Sequence, residues 1–172
     1  MAPPSEVSVI VPAYNAGRYI ATCLSAIRAH SVEGAELIVV DDCSTDDTGD
    51  VAARLGAKVI RMSRRSGPAA ARNRGVVEAR GRVLVFVDAD VVVSAGAIEG
   101  LVRDLAGRED VGAVFGSYDD APAEPNLLSQ YKNLYHHFVH QYANADAAHP
   151  DPPSASRAAR TGRTEPHGGL TE

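Results

Sequence analysis

Short, continuous apolar runs alternate along this chain with longer stretches in which apolar side chains recur every third or fourth residue. The first kind reads as buried strands and the second as helices that lay one face on a core. Val7-Ser8-Val9-Ile10-Val11 is rich in β-branched residues and predicts a strand. Pro12 is expected to close it, because proline cannot donate to a central ladder. Gly17 to His30 then places Tyr19, Ile20, Cys23, Leu24 and Ile27 on one helical face. Glu36 to Asp41 predicts a second strand, and Asp46 or Asp47 is suited to cap a helix through Leu55. Lys58 to Met62 predicts a third strand, and Pro68 opens a helix that runs to Ala79. Val83 to Val87 predicts a fourth strand, Ser94 to Leu105 a helix, and Val111 to Gly116 a fifth strand. Strands alternating with helices through short loops predict an α/β fold with a mostly parallel central sheet and helices on both faces.

Farther on, Leu127, Leu128, Tyr131, Leu134, Tyr135, Phe138, Val139 and Tyr142 repeat at helical spacing and predict an amphipathic final helix. The pattern then stops. From Ala143 onward alanine, proline, arginine, histidine, threonine and glycine dominate, and Leu170 is the one large aliphatic residue. Such a stretch buries too little apolar surface to offset its ordering entropy, which predicts a folded domain over 1–142 and a disordered tail over 143–172. A change this abrupt, right after a well-patterned helix, suggests a truncated or frameshifted coding sequence.

Composition narrows the function classes. A chain of 172 residues suits one domain, and 45% hydrophobic with 23% charged residues is ordinary for a globular protein. No apolar run is long enough to span a bilayer and no charged-then-apolar leader is visible, so the expected location is the cytoplasm. The aromatic face over 127–142 adds peripheral contact with the inner face of a membrane to that expectation. A net charge of -5 argues against a general nucleic-acid binder. Cys23 and Cys43 fit no metal-binding spacing, and two free thiols in a reducing compartment are expected.

The candidate chemistry lies at the predicted strand ends. Asp88 and Asp90 follow the fourth strand, and hard carboxylate oxygens there suit Mg²⁺ or Mn²⁺ carrying a substrate's phosphates. Asp41 and Asp42 end the second strand, where an acid is placed to bond a ribose hydroxyl or a base edge. In a parallel sheet all four acids would face one crevice. Pro12, Ala13 and Tyr14 sit at the mouth of the first strand, with the Tyr14 ring placed to wall a base. Arg61, Arg64, Arg65, Arg72 and Arg74 surround the start of the third helix, where guanidinium groups and backbone N–H groups suit a pyrophosphate. For all of these except Arg72, a solvated basic loop explains the charges equally well. His136, His137 and His140 share a helix face but have no matching acid or cysteine nearby; surface or lipid-proximal positions account for them, with a substrate-pocket role for His137 or His140 as the lesser alternative. Neither a Walker loop nor Gly-x-Gly-x-x-Gly is present, so P-loop hydrolase and dinucleotide oxidoreductase are poor fits.

Four segments together resemble a known family. Val9-Ile10-Val11-Pro12-Ala13-Tyr14-Asn15, Val39-Val40-Asp41-Asp42-Cys43-Ser44-Thr45-Asp46, Gly67-Pro68-Ala69-Ala70-Ala71-Arg72-Asn73-Arg74-Gly75 and Phe86-Val87-Asp88-Ala89-Asp90 are similar, in order and spacing, to the family-2 glycosyltransferases with the Rossmann-like A-type fold. The similarity covers residues 5 to 120, the nucleotide-sugar-binding half in that family. It implies that Pro12, Ala13 and Tyr14 border the base, that Asp42 or its neighbour Asp41 bonds the base, and that Arg72 lies near the phosphates. It further implies that Asp88 bonds the ribosyl side and that Asp90, with Asp88, meets a divalent Mg²⁺ or Mn²⁺. The implied reaction is metal-dependent transfer of a sugar, with inversion, from a nucleoside-diphosphate donor to an acceptor hydroxyl, a lipid-linked or cell-envelope glycan being the acceptor class the family suggests.

The chain also departs from that family. Its base lies downstream, in an acceptor-binding half, often as a Glu-Asp pair after a glycine-rich stretch, and Asp119, Asp120, Glu124 and Glu165 do not match that context. The catalytic base is therefore unassigned and activity of the chain is an open expectation. A non-catalytic nucleotide-binding or interaction module is the alternative. A nucleotidyltransferase would need a glycine-rich loop with a basic residue after the first strand, which Pro12-Ala13-Tyr14-Asn15-Ala16-Gly17 does not supply.

Overall fold

All seven residues of the first strand, β1 (Val7–Ala13), are buried, because the strand lies inside a sheet that is covered on both faces. The computed structural model describes residues 6–108, 111–116 and 157–160. Strand β1 pairs in parallel with β2 (Glu36–Asp41) on one side and with β4 (Val83–Phe86) on the other. Strand β3 (Lys58–Arg61) pairs in parallel with β2 at one edge. On the far side β6 (Arg157–Arg160) runs antiparallel between β4 and β5 (Ala113–Phe115), giving the order β3-β2-β1-β4-β6-β5. Only β6 opposes the rest among the described strands.

Strand β6 corrects one expectation. Its four residues fall in the segment predicted to be disordered, yet they pair along the whole of β4. The side of β4 away from β1 presents N–H and C=O groups, and the backbone of Arg157-Ala158-Ala159-Arg160 pairs with them. A reading based on apolar side chains is blind to that contribution. The predicted helix over 127–142, and with it His136, His137 and His140, lies outside the described residues.

The two-residue period of the strands sorts the core into two layers. Val7, Val9, Val11 and Ala13 of β1, with Val39 and Val85, join Ile20, Cys23, Leu24 and Ile27 of α1 (Ile20–His30). The same layer takes Ala52 of α2 (Thr48–Arg54) and Ile98, Leu101 and Leu105 of α4 (Ala97–Ala106). On the opposite face Ile10, Ile38, Val40, Leu84 and Phe86 pack against α3 (Pro68–Glu78). Helix α3 buries only Ala71 and Gly75 fully, and it can do so because Gly75 lets it approach the sheet closely. A Cβ at Gly75 would fall inside van der Waals contact of the Ile10 Cγ2 and lie 3.3 Å from the Val40 Cγ2. No helix among the described residues is long and apolar enough to cross a membrane.

Contrary to expectation, Pro12 does not close the first strand; pairing continues through it to Ala13, opposite Asp41. Strand geometry explains this. The Ile10 carbonyl accepts from Val87 N on the β4 side, so Pro12, two residues on, directs its nitrogen to that same side, where β4 has already ended at Phe86. The missing donor therefore removes no ladder bond.

Candidate functional site

The loops after β1 and β2 are joined by a set of hydrogen bonds that fixes the carboxyl edge of the sheet. Asp42 N donates to the Ala13 carbonyl at 2.8 Å, and Thr45 N to Asn15 Oδ1 at 2.8 Å. Ala16 N donates to Thr48 Oγ1 at 2.8 Å and Gly17 N to Asp46 Oδ2 at 3.0 Å. Asn15 and Cys43 adopt positive φ angles of 47° and 64°, the left-handed turns that bring the two loops face to face. Of the two acids suited to cap α2, Asp46 makes the bonds: it accepts from Thr48 N at 3.0 Å and from the Thr48 hydroxyl. Asp47 stands at the N-cap position without a side-chain bond. The Thr48 hydroxyl, aided by the Gly17 and Thr48 N–H groups, holds the Asp46 carboxyl below its usual range.

Asp41 and Asp42 are consecutive on an extended backbone and so point to opposite faces. Asp41 turns to the α2 side, where Oδ1 accepts from Ser44 N at 2.9 Å and a Cβ at Gly49 would come within 2.7 Å of Oδ2. Asp42 turns to the α3 side and is 3% exposed; its two oxygens accept from Ser66 N at 2.8 Å and Gly67 N at 2.7 Å. The expectation that all four strand-end acids share one crevice is thereby corrected. Asp42 and Asp88 lie on the α3 side of the sheet, and Asp41 is directed away from it.

At the strand mouth Pro12 is buried, Ala13 is buried in the opposite layer with α1, and Tyr14 stands 38% exposed. The guanidinium carbon of Arg65 lies 4.1 Å from the centroid of the Tyr14 ring. Arg72, one turn into α3, donates from Nη2 to Asp88 Oδ1 at 2.6 Å, with the two side chains 16% and 17% exposed. Its Nε is buried and, among the described residues, has no partner. Asp90, two residues beyond Asp88, is exposed. The other arginines of the basic stretch divide up: Arg61 pairs with Asp50, and Arg74 with Glu78 at 2.7 Å.

Beneath the Asp88-Ala89-Asp90 turn, Cys23 of α1 donates from Sγ to the Asp88 carbonyl at 3.5 Å. Burial, and then the Asp90 and Asp88 carboxylates, push its thiol up to about 12, so the group is a neutral prop under the turn. Sequence periodicity places Cys23 on the buried face of α1 but carries no signal for this contact. The Arg65–Tyr14 stack was equally hidden, since only the positive charge of the loop is visible in the sequence. Among the described residues, no group of three or more His, Cys, Asp or Glu side chains is assembled to hold a metal ion.

Comparison with known proteins places this architecture. The chain matches the family described as Glycosyl transferase family 2 over residues 8–167, farther than the four sequence segments alone extend. It is 32% identical over 117 residues to glycosyltransferase GlyG of Streptococcus pneumoniae serotype 4, an alignment covering 65% of this chain and 38% of that protein. Among solved structures, the mannosyltransferase PcManGT from Pyrobaculum calidifontis in complex with GDP-Man and Mn²⁺ superposes with a TM-score of 0.67 and 26% identity over 92% of this chain and 45% of that one. Glucosyl-3-phosphoglycerate synthase from Mycobacterium tuberculosis, in complex with Mn²⁺, UDP and glucosyl-3-phosphoglycerate, gives 0.66 and 26% over 91% and 57%. The chain thus spans well under two thirds of the proteins it resembles. With its mostly parallel sheet, its helices on both faces and a match over most of its length, the chain belongs to glycosyl transferase family 2.

Proposed function

We propose that the chain holds a nucleoside-diphosphate sugar along the α3 side of the sheet's carboxyl edge and serves its transfer, with inversion, to an acceptor hydroxyl. The observation that carries this is the Arg72–Asp88 pair. A half-buried guanidinium whose buried Nε has no partner among the described residues, one turn from the amino end of a helix, is a poor structural investment unless an anion completes it. GDP-Man and UDP, each held with Mn²⁺ in the two solved neighbours, support a nucleotide donor and a divalent cation.

The donor set fits such a cation. Mg²⁺ and Mn²⁺ commonly take one or two carboxylates and complete their shells with substrate phosphates and water, so an all-protein cage is not required. Asp90, exposed, and Asp88 would hold it, and its chemistry is to neutralise charge on the departing diphosphate. In the proposed reaction the acceptor oxygen forms a bond to the anomeric carbon from the face opposite the diphosphate. The bond from that carbon to the phosphate oxygen breaks, the nucleoside diphosphate leaves with the electron pair, and a carboxylate base takes the acceptor proton. Arg72 stabilises the leaving oxygens, Tyr14 walls the base, Asp42 acts there by holding the loop that leads into α3, and Pro12 and Ala13 close the strand mouth. Asp41, on the other face, supports the Ser44 turn. A lipid-linked or envelope glycan is the acceptor class to test first.

Calorimetry with UDP-, GDP- and dTDP-sugars, with and without Mn²⁺, tests the site on the wild type and on Asp90→Ala. Metal-dependent binding of one donor, weakened ~10-fold or more in the variant, is expected for the loss of one ligand carboxylate. Absence of binding under every condition would overturn the reading. Release of nucleoside diphosphate in the presence of acceptors then separates transfer from binding alone.

A further inference from the structure

Asp42 is buried, with both oxygens engaged by the backbone of one loop. Ser66 N and Gly67 N donate to different oxygens of the one carboxylate, and Gly67 holds a φ of 90° as it leads into α3. That φ is strained for any residue with a Cβ, so the backbone at this point is set by the carboxylate clamp and the glycine together. One residue before the clamp, Arg65 lies over the Tyr14 ring. Arg65 is itself exposed, and among the described residues the Tyr14 ring is the group its guanidinium meets. Its position on the ring therefore depends on where the Ser63–Gly67 loop is held.

We propose that Asp42 is a positioning residue: through Ser66 and Gly67 it fixes the loop, the loop sets Arg65 on Tyr14, and Arg65 holds the ring as a rigid wall for a nucleobase. The inference rests on the donor-site reading and adds a specific route to it. A contact between Asp42 and the base itself would use only the acceptor capacity left over from two short backbone bonds. Exposed tyrosine rings turn freely, and a cation held against one face removes that freedom before the ligand arrives, which converts ordering cost into affinity.

The test uses the full chain and three variants: Asp42→Asn, Arg65→Ala and the double substitution. Amide hydrogen exchange without any nucleotide is expected to speed up at Ser66 and Gly67 in Asp42→Asn by ~10-fold or more, the signature of a local opening, and to stay unchanged there in Arg65→Ala. With Mn²⁺ present, Arg65→Ala is expected to weaken UDP about 3-fold to 10-fold and to leave inorganic pyrophosphate unaffected, a split that a general loss of structure would not produce. Because both residues act along one route, their effects on UDP affinity are expected to be non-additive, the double variant falling short of the product of the singles by about 3-fold or more. Unchanged exchange at Ser66 and Gly67, or additive effects on UDP, would overturn the proposal. A wild type that binds no nucleotide is a different failure, that of the donor site, and the exchange measurement still judges the clamp. Arg65 is on the surface, so Arg65→Ala remains informative should Asp42→Asn fold poorly.

Discussion

Arg72 presents Nη2 to Asp88 at 2.6 Å and keeps Nε buried without a partner, two directions served by one planar group. Lysine reproduces the charge but is a point donor on a flexible stem, and it cannot hold Asp88 while reaching an anion along the Nε direction. Arg72→Lys is therefore expected to keep the fold, since Asp88 retains a counter-charge, and to lose about tenfold in affinity for a nucleoside diphosphate, roughly the net worth of one charge-assisted hydrogen bond. Thermal melts with and without UDP and Mn²⁺ check both halves; an unchanged ligand-induced shift would mean that Nε faces no ligand. Arg72 and Asp88 could each be picked out as candidates from the chain, because both stand in motif segments, but their pairing could not. The opposite facing of Asp41 and Asp42 was legible in principle from the alternation of a strand, provided the strand is carried one residue past its end. The Arg65–Tyr14 and Cys23–Asp88 contacts were not, because each joins loops or elements far apart in sequence through geometry that no local pattern encodes.

Elements obey the same division between local and distant causes. The order of five strands and four helices follows from periodicity, whereas two features depended on neighbours. Pro12 stays in β1 because β4 ends early, and β6 forms because β4 offers an unpaired edge. Gly75 is a third case, and it yields a prediction with a sign. Alanine ordinarily stabilises a helix interior over glycine by about 1 kcal/mol. At Gly75 the added methyl meets the buried, β-branched Ile10, which has no room to turn, and overpacking of this kind costs ~1–3 kcal/mol. Gly75→Ala is expected to lower unfolding free energy by about 1 kcal/mol net. Gly100→Ala in α4, where among the described residues a Cβ would meet the Arg103 Nη2 at 3.8 Å, is expected to raise it by up to ~1 kcal/mol. Urea titrations of both measure the difference, and a Gly75→Ala that stabilises would show that α3 is free to move off the sheet.

At the scale of the whole molecule, the two thiols report on opposite ends of the burial range. Cys43 is exposed in the turn after β2, while Cys23 is buried between α1 and the strand-end acids. The nucleophile in alkylation is the thiolate, and Cys23 both lacks access and stays protonated, with its value pushed up to about 12. Reaching it requires α1 to leave a layer it shares with β1, β2, β4 and α4, an opening close to unfolding of the domain. Globular domains hold such openings to a population set by ~5–15 kcal/mol, so labelling of Cys23 is expected to be at least ~10³-fold slower than that of Cys43. Mass spectrometry after iodoacetamide at pH 8 should then find one adduct on the native chain, at Cys43, and two after urea. Two adducts forming at equal rates on the native chain would mean that the α1 layer is not closed. The turn bearing Asp88 and Asp90 would then rest on no fixed support, and the proposed donor site would lose its geometry.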